Sequence, residues 1–316
     1  MRAFLKSLIY AFHRIVSKSE ITTRIYFQIL RLLLKSLPDN KFKYLILHFL
    51  LGSSSIVQWP QIELAPQEVD IAGTSLTIKL VPHLIEQDLG SLILKTFTHE
   101  KGVFEYLEQH IKDYDTVIEI GANVGLFTMC LAKWFARSGK PGNNIFSFEP
   151  SREAYLRLLR NLELNRIKGV QTFNLAVGER DDFVNFYEPA GHLTNGSLYR
   201  DFAEIFSASL SINKTFMING NFLDGLVQDS HHILLKINAE GSEYAILQTM
   251  KDFIIKRMPA MIIEVLSLFQ NQLNQLDFLF SGQYSFFNIT DQGLQSRDRF
   301  IASNCYSYLL LPLIEK

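Results

Sequence analysis

Thr116-Val117-Ile118-Glu119-Ile120-Gly121-Ala122-Asn123-Val124-Gly125-Leu126-Phe127-Thr128 is a largely β-branched run that reaches an acid, passes two glycines four residues apart and continues into an apolar run of helical type. That order predicts strand, tight turn, helix. Gly121 and Gly125 let backbone approach a ligand closely, and the helix start behind them offers N–H groups and a partial positive charge. Ala122 sits in the turn, and Asn123 can donate and accept within it. The spacing is GxxxG and not GxGxxG, so a pyrophosphate cradle for a dinucleotide is poorly supported.

Downstream of this stretch, strands and helices alternate. Residues 145–150 read as a buried strand ending in Glu149, and 152–164 as a helix with Tyr155, Leu158, Leu159 and Leu162 inward. A third strand spans 170–175, and Ala176-Val177-Gly178 turns out of it. Residues 179–231 interrupt the rhythm with two strand-like runs, 183–187 and 214–218, around a polar stretch that contains Gly191 and His192; an insertion this long reads as a lid or binding loop. The alternation resumes with a strand at 233–238, a helix from Glu243 to Met250 and a strand at 260–265. Ser267 is placed to cap a helix over 268–279. Residues 284–289 and 306–311 can close the sheet as an antiparallel pair. The expected fold is α/β: a Rossmann-like, doubly wound, seven-stranded and mostly parallel sheet with an antiparallel last strand.

Upstream, three segments are expected: a basic helical extension (1–55), a connector with a hairpin over 69–80 and a helix over 84–112 (56–112), and the α/β domain (113–316). Residues 1–50 hold nine basic groups against two acidic ones, a balance of +7; of the 31 Lys+Arg and 32 Asp+Glu in the chain, 22 and 30 remain for the rest. The apolar residues Phe4, Leu5, Leu8, Phe12, Ile15 and Val16, and then Ile21, Ile25, Ile29, Leu32 and Leu33, recur at helical spacing. Such faces ordinarily pack into a core or against a second subunit. The other reading of residues 1–52 is a basic amphipathic surface lying on an anionic membrane. No run approaches the ~20 apolar residues of a membrane span, and no small-residue cleavage site follows the first apolar stretch, which argues against a secretory signal. Cys130 and Cys305 lie in apolar surroundings without metal-ligand spacing, so buried reduced thiols and a cytoplasmic setting are expected, with no metal. A net charge of −1 implies no nucleic-acid partner.

Ligands of an open parallel sheet sit outside the carboxyl ends of its strands. Here those ends carry Glu119, Glu149, the 174–178 turn, Asn238 with Glu240, and Glu264. Glu149 at the end of the second strand can accept from both hydroxyls of a ribose; the plainer alternative is a solvated acid before a proline turn. Glu119 can hold an ammonium or orient the turn. Lys236, mid-strand, is costly unless paired, and Glu264 or Glu119 is the expected partner.

Val117-Ile118-Glu119-Ile120-Gly121-Ala122-Asn123-Val124-Gly125 resembles the first motif of class I S-adenosylmethionine-dependent methyltransferases, and its Gly-Ala-Asn-x-Gly form is similar to the FkbM family in particular. Phe146-Ser147-Phe148-Glu149-Pro150 and Phe173-Asn174-Leu175-Ala176-Val177-Gly178 resemble that family's second and third motifs. Leu235-Lys236-Ile237-Asn238-Ala239-Glu240-Gly241-Ser242-Glu243 resembles its Leu-Lys-Ile-Asp-Val-Glu-Gly-x-Glu signature, and Ile262-Ile263-Glu264-Val265 its closing segment. The resemblance spans about residues 100–270, with Asn238 where the family usually has Asp. It implies that the 119–125 loop holds the methionine part of S-adenosylmethionine, Glu149 the ribose, and Asn174, Ala176 and Val177 the adenine, with Asn238 also on the cofactor side. Lys236, Glu243 and Glu264 fall on the substrate side, and Glu240 or His192 is the candidate base. The activity implied is O-methylation of a hydroxyl on a sugar or secondary metabolite, with a small molecule or glycan as acceptor. The alternatives are a non-catalytic cofactor-binding adaptor, kept open by Asn238, and a nicotinamide-dependent oxidoreductase, disfavoured by the missing GxGxxG.

Overall fold

The computed structural model describes residues 2–36, 66–81, 96–140, 142–190, 192–227, 230–302 and 307–313. Cys305 and much of the expected connector lie outside them. The chain divides into two units, Met1–Ala72 with Thr77–Thr98, and Gly73–Leu76 with His99–Lys316.

In the first unit, helices α1 (Arg2–Val16) and α2 (Glu20–Ser36) form a hairpin. Its turn is tied by Thr23, whose hydroxyl donates to the carbonyls of Val16 (3.0 Å) and Ser19 (2.8 Å). His13 Nε2 and the Tyr26 hydroxyl meet at 2.8 Å across the pair. Val16, Phe27 and Leu30 are buried, but the long apolar stripes that a core would absorb are not: Leu8, Phe12, Ile15, Ile21, Ile25, Ile29 and Leu32 are each more than half exposed. Strands β1 (Gln67–Ile71) and β2 (Thr77–Leu80) pair antiparallel as the expected hairpin. Strand β3 (Thr96–Phe97) runs parallel to β1, where the sequence predicted helix; among the described residues of that stretch the α-helix occupies Lys101–His110.

The second unit carries the sheet. Strands β4 (Thr116–Ile120), β5 (Ile145–Phe148) and β6 (Gln171–Phe173) step outward in one direction. The chain then builds a small sheet from β7 (Ala176–Gly178), β8 (Asp182–Pro189) and β9 (Leu210–Asn219), ordered β7-β9-β8. It returns to add β10 (Ile233–Ile237) and β11 (Ala260–Glu264) on the other side of β4, then β12 (Tyr284–Thr290), β13 (Gly293–Arg297) and β14 (Ser307–Pro312). The order is β13-β12-β14-β11-β10-β4-β5-β6, parallel from β11 to β6 and antiparallel beyond β11. This is the expected doubly wound sheet with β13 added at its edge. Every residue of β4, β5 and β10 is buried, which is why these strands read as continuous apolar runs. Ile118, Ile120, Leu235, Ile237, Met261 and Ile263 form the centre of the core on one face. The predicted helix at 268–279 is broken into Gln270–Leu273, a 3₁₀ turn and Asp277–Phe280, and its first turn is capped by no side chain, so Ser267 does not play that part.

Candidate active site

The direction of strand addition reverses between β4 and β10, and the turn that leaves β4 sits at that switch point. The N–H groups of Gly121 and Ala122 donate to the Phe148 carbonyl at the end of β5 (2.9 and 3.0 Å), and the Asn238 N–H donates to the Ile120 carbonyl (3.0 Å). The turn is thus pinned from both neighbours. Gly121 and Gly125 lie at φ 86° and Asn123 at φ 50°. A Cβ on Gly121 would stand 1.6 Å from the Asn238 carbonyl oxygen, so the approach of the two strand ends itself requires glycine. A Cβ on Gly125 would meet Leu158 at 2.9 Å, the contact by which helix Leu126–Arg137 packs on helix Arg152–Leu164.

Glu149 closes the turn from the β5 side. Its Oε2 accepts the Asn123 N–H and its Oε1 the Ser151 N–H, both at 2.7 Å. Burial pushes its pKa up to about 7; the two N–H donors pull down, and the charges of Glu188 and Glu119 push up. Ser151 caps the following helix by accepting the Ala154 N–H at 3.2 Å, and its own hydroxyl donates to Glu188. Asn174 Nδ2 donates to the carbonyls of Glu149 (2.8 Å) and Pro150 (3.2 Å), while Ala176 and Val177 are buried on β7.

The turn after β10 forms the opposite wall. Glu240 sits at φ 49° and Gly241 at φ 100°. Glu243, wholly buried, stitches this turn together: its Oε1 accepts the Ala239 N–H (2.8 Å) and its Oε2 the Gly241 N–H (3.0 Å). From the insertion, the Ser197 hydroxyl donates to the Glu240 carbonyl at 2.8 Å. Burial first, then the charges of Glu264, Glu243, Glu100 and Glu149, push the Glu240 carboxyl up to about 9. Burial and the charges of Glu100 and Glu243 raise Glu264 to about 8, with Lys236 opposing. With Glu119, Glu149 and Glu243, which burial also raises, these glutamates are all held above their ordinary range.

Lys236 departs from expectation. The parallel register sets it beside Glu119, yet among the described residues it closes no ion pair with Glu119 or Glu264. Its Nζ stands 4.1 Å from the centroid of the Phe127 ring, whose face receives the cation. Glu119 turns to the helix side, where its Oε2 accepts from Thr128 (2.6 Å) and Ser147 (3.0 Å) and its Oε1 has no partner. Burial pushes its pKa up against the opposing charge of Lys236. His192 lies within the insertion: its N–H donates to the Pro189 carbonyl (3.0 Å), its ring is 6.0 Å from that of Phe206, and burial pushes its pKa down. No hydrogen bond among the described residues joins it to the strand-end acids.

A cleft of about 390 Å³ opens between the small sheet and the start of helix Glu243–Thr249. Val177 borders it, together with Arg180, Phe183, Tyr187, Tyr199, Lys214 and Ser242. The Ser242 hydroxyl is buried there without a hydrogen-bond partner. Tyr199 and Phe202 pack on Phe269 (ring centroids 6.0 and 5.7 Å), and a Cβ on Gly241 would meet the same ring at 2.5 Å, so the insertion is anchored to the β10 turn through Phe269 as well as Ser197. Sequence reasoning found the glycine turn and the strand-end acids but not Ser151, Glu188, Ser197 or Phe269. Ser151, a serine opening a helix, carried a readable capping signal; the other three are brought in only by the folded insertion and β11 loop.

A glycine turn at the switch point of a doubly wound sheet, with an acid from the next strand hydrogen-bonded to it, places this unit in the Rossmann-like α/β class. The family model described as Methyltransferase FkbM domain matches residues 119–286, more than half of the chain. The chain belongs to the FkbM methyltransferase family. It is similar to Methyltransferase 1 of Beauveria bassiana (strain ARSEF 2860), with 24% identity over 164 residues, 44% of this chain and 60% of that protein, so it spans less than two thirds of that relative's length. Among solved structures it is similar to the FkbM methyltransferase of Methylobacillus flagellatus KT (17% identity, TM-score 0.39, 63% of this chain and 43% of that one). It is also similar to a SAM-dependent methyltransferase from Agrobacterium tumefaciens (10% identity, TM-score 0.43, 80% and 72%).

Proposed function

We propose that this domain binds S-adenosylmethionine at the Gly121 turn and transfers its methyl group to a hydroxyl of a sugar or secondary metabolite. The observation that carries the reading is the joint geometry of the turn and Glu149: a backbone held open by glycine, 2.7 Å from a buried carboxylate at the end of the next strand. The residues present fit the cofactor. Glu119 keeps a buried carboxylate oxygen without a partner, and the glutamates raised by burial and by one another's charge form a site that a cationic sulfonium with its ammonium would relieve. The bound cofactor supplies an activated methyl on a good leaving group, so the protein's share is orientation and proton handling.

In this reading the 121–125 turn and Glu149 hold the nucleoside, and Asn174 fixes the Glu149 backbone. The Glu240 carboxyl keeps its proton at neutral pH until a cation beside it lowers its pKa; the freed carboxylate oxygen then accepts the proton of the acceptor hydroxyl. His192, neutral at pH 7, is the competing base, and the absence of a link to the strand-end acids disfavours it. The cleft beside Ser242 takes the acceptor: the rings of Phe183, Tyr187 and Tyr199 suit the flat faces of a sugar or aromatic ring, with Arg180 and Lys214 for polar substituents. The test is calorimetry with S-adenosylmethionine against NAD, followed by labelled-methyl transfer into extracts and mass identification of the product. Binding of S-adenosylmethionine alone with a methylated hydroxyl product is expected. Preference for NAD sinks the reading. Cofactor binding without turnover by either the wild type or Asn238→Asp leaves the adaptor instead.

A further inference from the structure

The helical hairpin exposes what a soluble surface ordinarily hides. On α1, Leu8, Phe12 and Ile15 follow one another at i, i+4, i+7, exposed by 53, 51 and 66%. On α2, Ile21, Ile25, Ile29 and Leu32 repeat the pattern, exposed by 70, 51, 52 and 68%. The rings of Phe12 and Tyr26 meet edge-on with centroids 5.6 Å apart, which sets the α1 stripe beside α2. Residues 2–36 contain seven basic residues (Arg2, Lys6, Arg14, Lys18, Arg24, Arg31, Lys35) and one acid, Glu20, which pairs with Arg24 at 2.6 Å. Arg14 near the end of α1, Lys18 in the turn and Arg24 on α2 are exposed as well. A hairpin with half-exposed apolar stripes and a marked excess of cations is the pattern of an element lying in a lipid–water interface.

We infer that the α1–α2 hairpin docks this protein on an anionic lipid bilayer, with the apolar stripes in the acyl–headgroup boundary and the cations against lipid phosphates or carboxylates. Charge decides the occupant. A second copy meeting this face would bring the same excess of positive charge against it, which opposes association, whereas an anionic leaflet complements it. No helix among the described residues is long and apolar enough to cross a membrane, so the hairpin lies on the surface. The inference is independent of the methyl-transfer reading.

The test is flotation of the full chain with vesicles of pure phosphatidylcholine and with vesicles containing about one third phosphatidylserine. The protein is expected to float with the anionic vesicles and to stay behind with the neutral ones, with binding weakened by raising salt. Ile25→Glu with Ile29→Glu should lower the floated fraction by about tenfold or more, with the far-ultraviolet circular dichroism and cofactor affinity of the wild type retained. Arg14→Glu with Lys18→Glu should weaken binding while leaving both apolar stripes intact. Failure to float with anionic vesicles overturns the inference, as does equal flotation on neutral ones. A concentration-dependent dimer that Ile25→Glu dissociates, without flotation, would make the face a subunit contact.

Discussion

At the scale of single residues, Glu149 and Gly121 separate two kinds of dependence. Glu149 accepts two backbone N–H groups, from Asn123 and Ser151, so its removal loosens the turn and, in the proposed reading, withdraws the ribose acceptor. Hydrogen bonds to a charged group are worth about 1.5–3 kcal/mol. Glu149→Gln is therefore expected to weaken S-adenosylmethionine binding by roughly 10- to 100-fold in calorimetry, with the fold kept; unchanged affinity would remove Glu149 from the site. Gly121→Ala acts on the fold itself. Its φ of 86° and a Cβ 1.6 Å from the Asn238 oxygen force the ends of β4 and β10 apart. The strain alone is of the order of 2 kcal/mol, a fall in melting temperature of roughly 4–8 °C for a domain of this size. A variant melting within a degree of wild type would mean that this turn is not the tight one described. Both positions were readable from the chain because glycine and a strand-end acid carry their meaning locally. Lys236 was not: its burial was legible, but whether it meets a carboxylate or the face of Phe127 depends on how the helix after the turn is seated.

At the scale of elements, the sequence is most informative where an element is buried on both faces. β4, β5, β10 and β11 stood out as short apolar runs with turn signals at their ends. β13, Gly-Leu-Gln-Ser-Arg, did not, because a polar edge strand has only one partner and needs no apolar pattern. The broken helix 270–280 shows the converse: its apolar spacing is helical, while three short turns around Phe280 and Phe300 satisfy the packing instead. In the insertion, the strand runs were visible, but their pairing with each other and with β7 was not, since register depends on contacts up to 41 residues apart. That pairing makes the cleft, and the cleft makes a prediction. Lys214 and Tyr187 line it from β9 and β8. Lys214→Ala and Tyr187→Ala should raise the KM for the acceptor by several-fold to tenfold, within the 1–3 kcal/mol of a lost polar or aromatic contact, while cofactor affinity stays within a factor of two or so. If cofactor affinity falls instead, the cleft belongs to the adenine.

At the scale of the whole molecule, the raised glutamates tie stability to pH and to the cofactor at once. Glu149 and Glu243 titrate at about 7, Glu264 at about 8 and Glu240 at about 9, against 4.5 for the same groups in the unfolded chain. Between these limits the folded protein binds more protons than the unfolded one, so the slope of stability with pH is negative. The contribution is fully present below about pH 4.5 and is lost progressively as pH rises through 7, 8 and 9. The ligand-free protein should accordingly melt at lower temperature at pH 9 than at pH 6, contrary to the usual gain of an acid-sensitive protein on leaving acid. A bound cation reverses the sign for the groups it faces, because it favours their carboxylate forms. Saturating S-adenosylmethionine should then raise the melting temperature more at pH 9 than at pH 6, and its binding should release protons, detectable as a dependence of calorimetric heat on the ionisation enthalpy of the buffer. S-adenosylhomocysteine, whose sulfur is neutral, should release fewer. A melting temperature that rises from pH 6 to pH 9 without ligand, or identical proton release by the two ligands, would break the link between the glutamate cluster and the sulfonium.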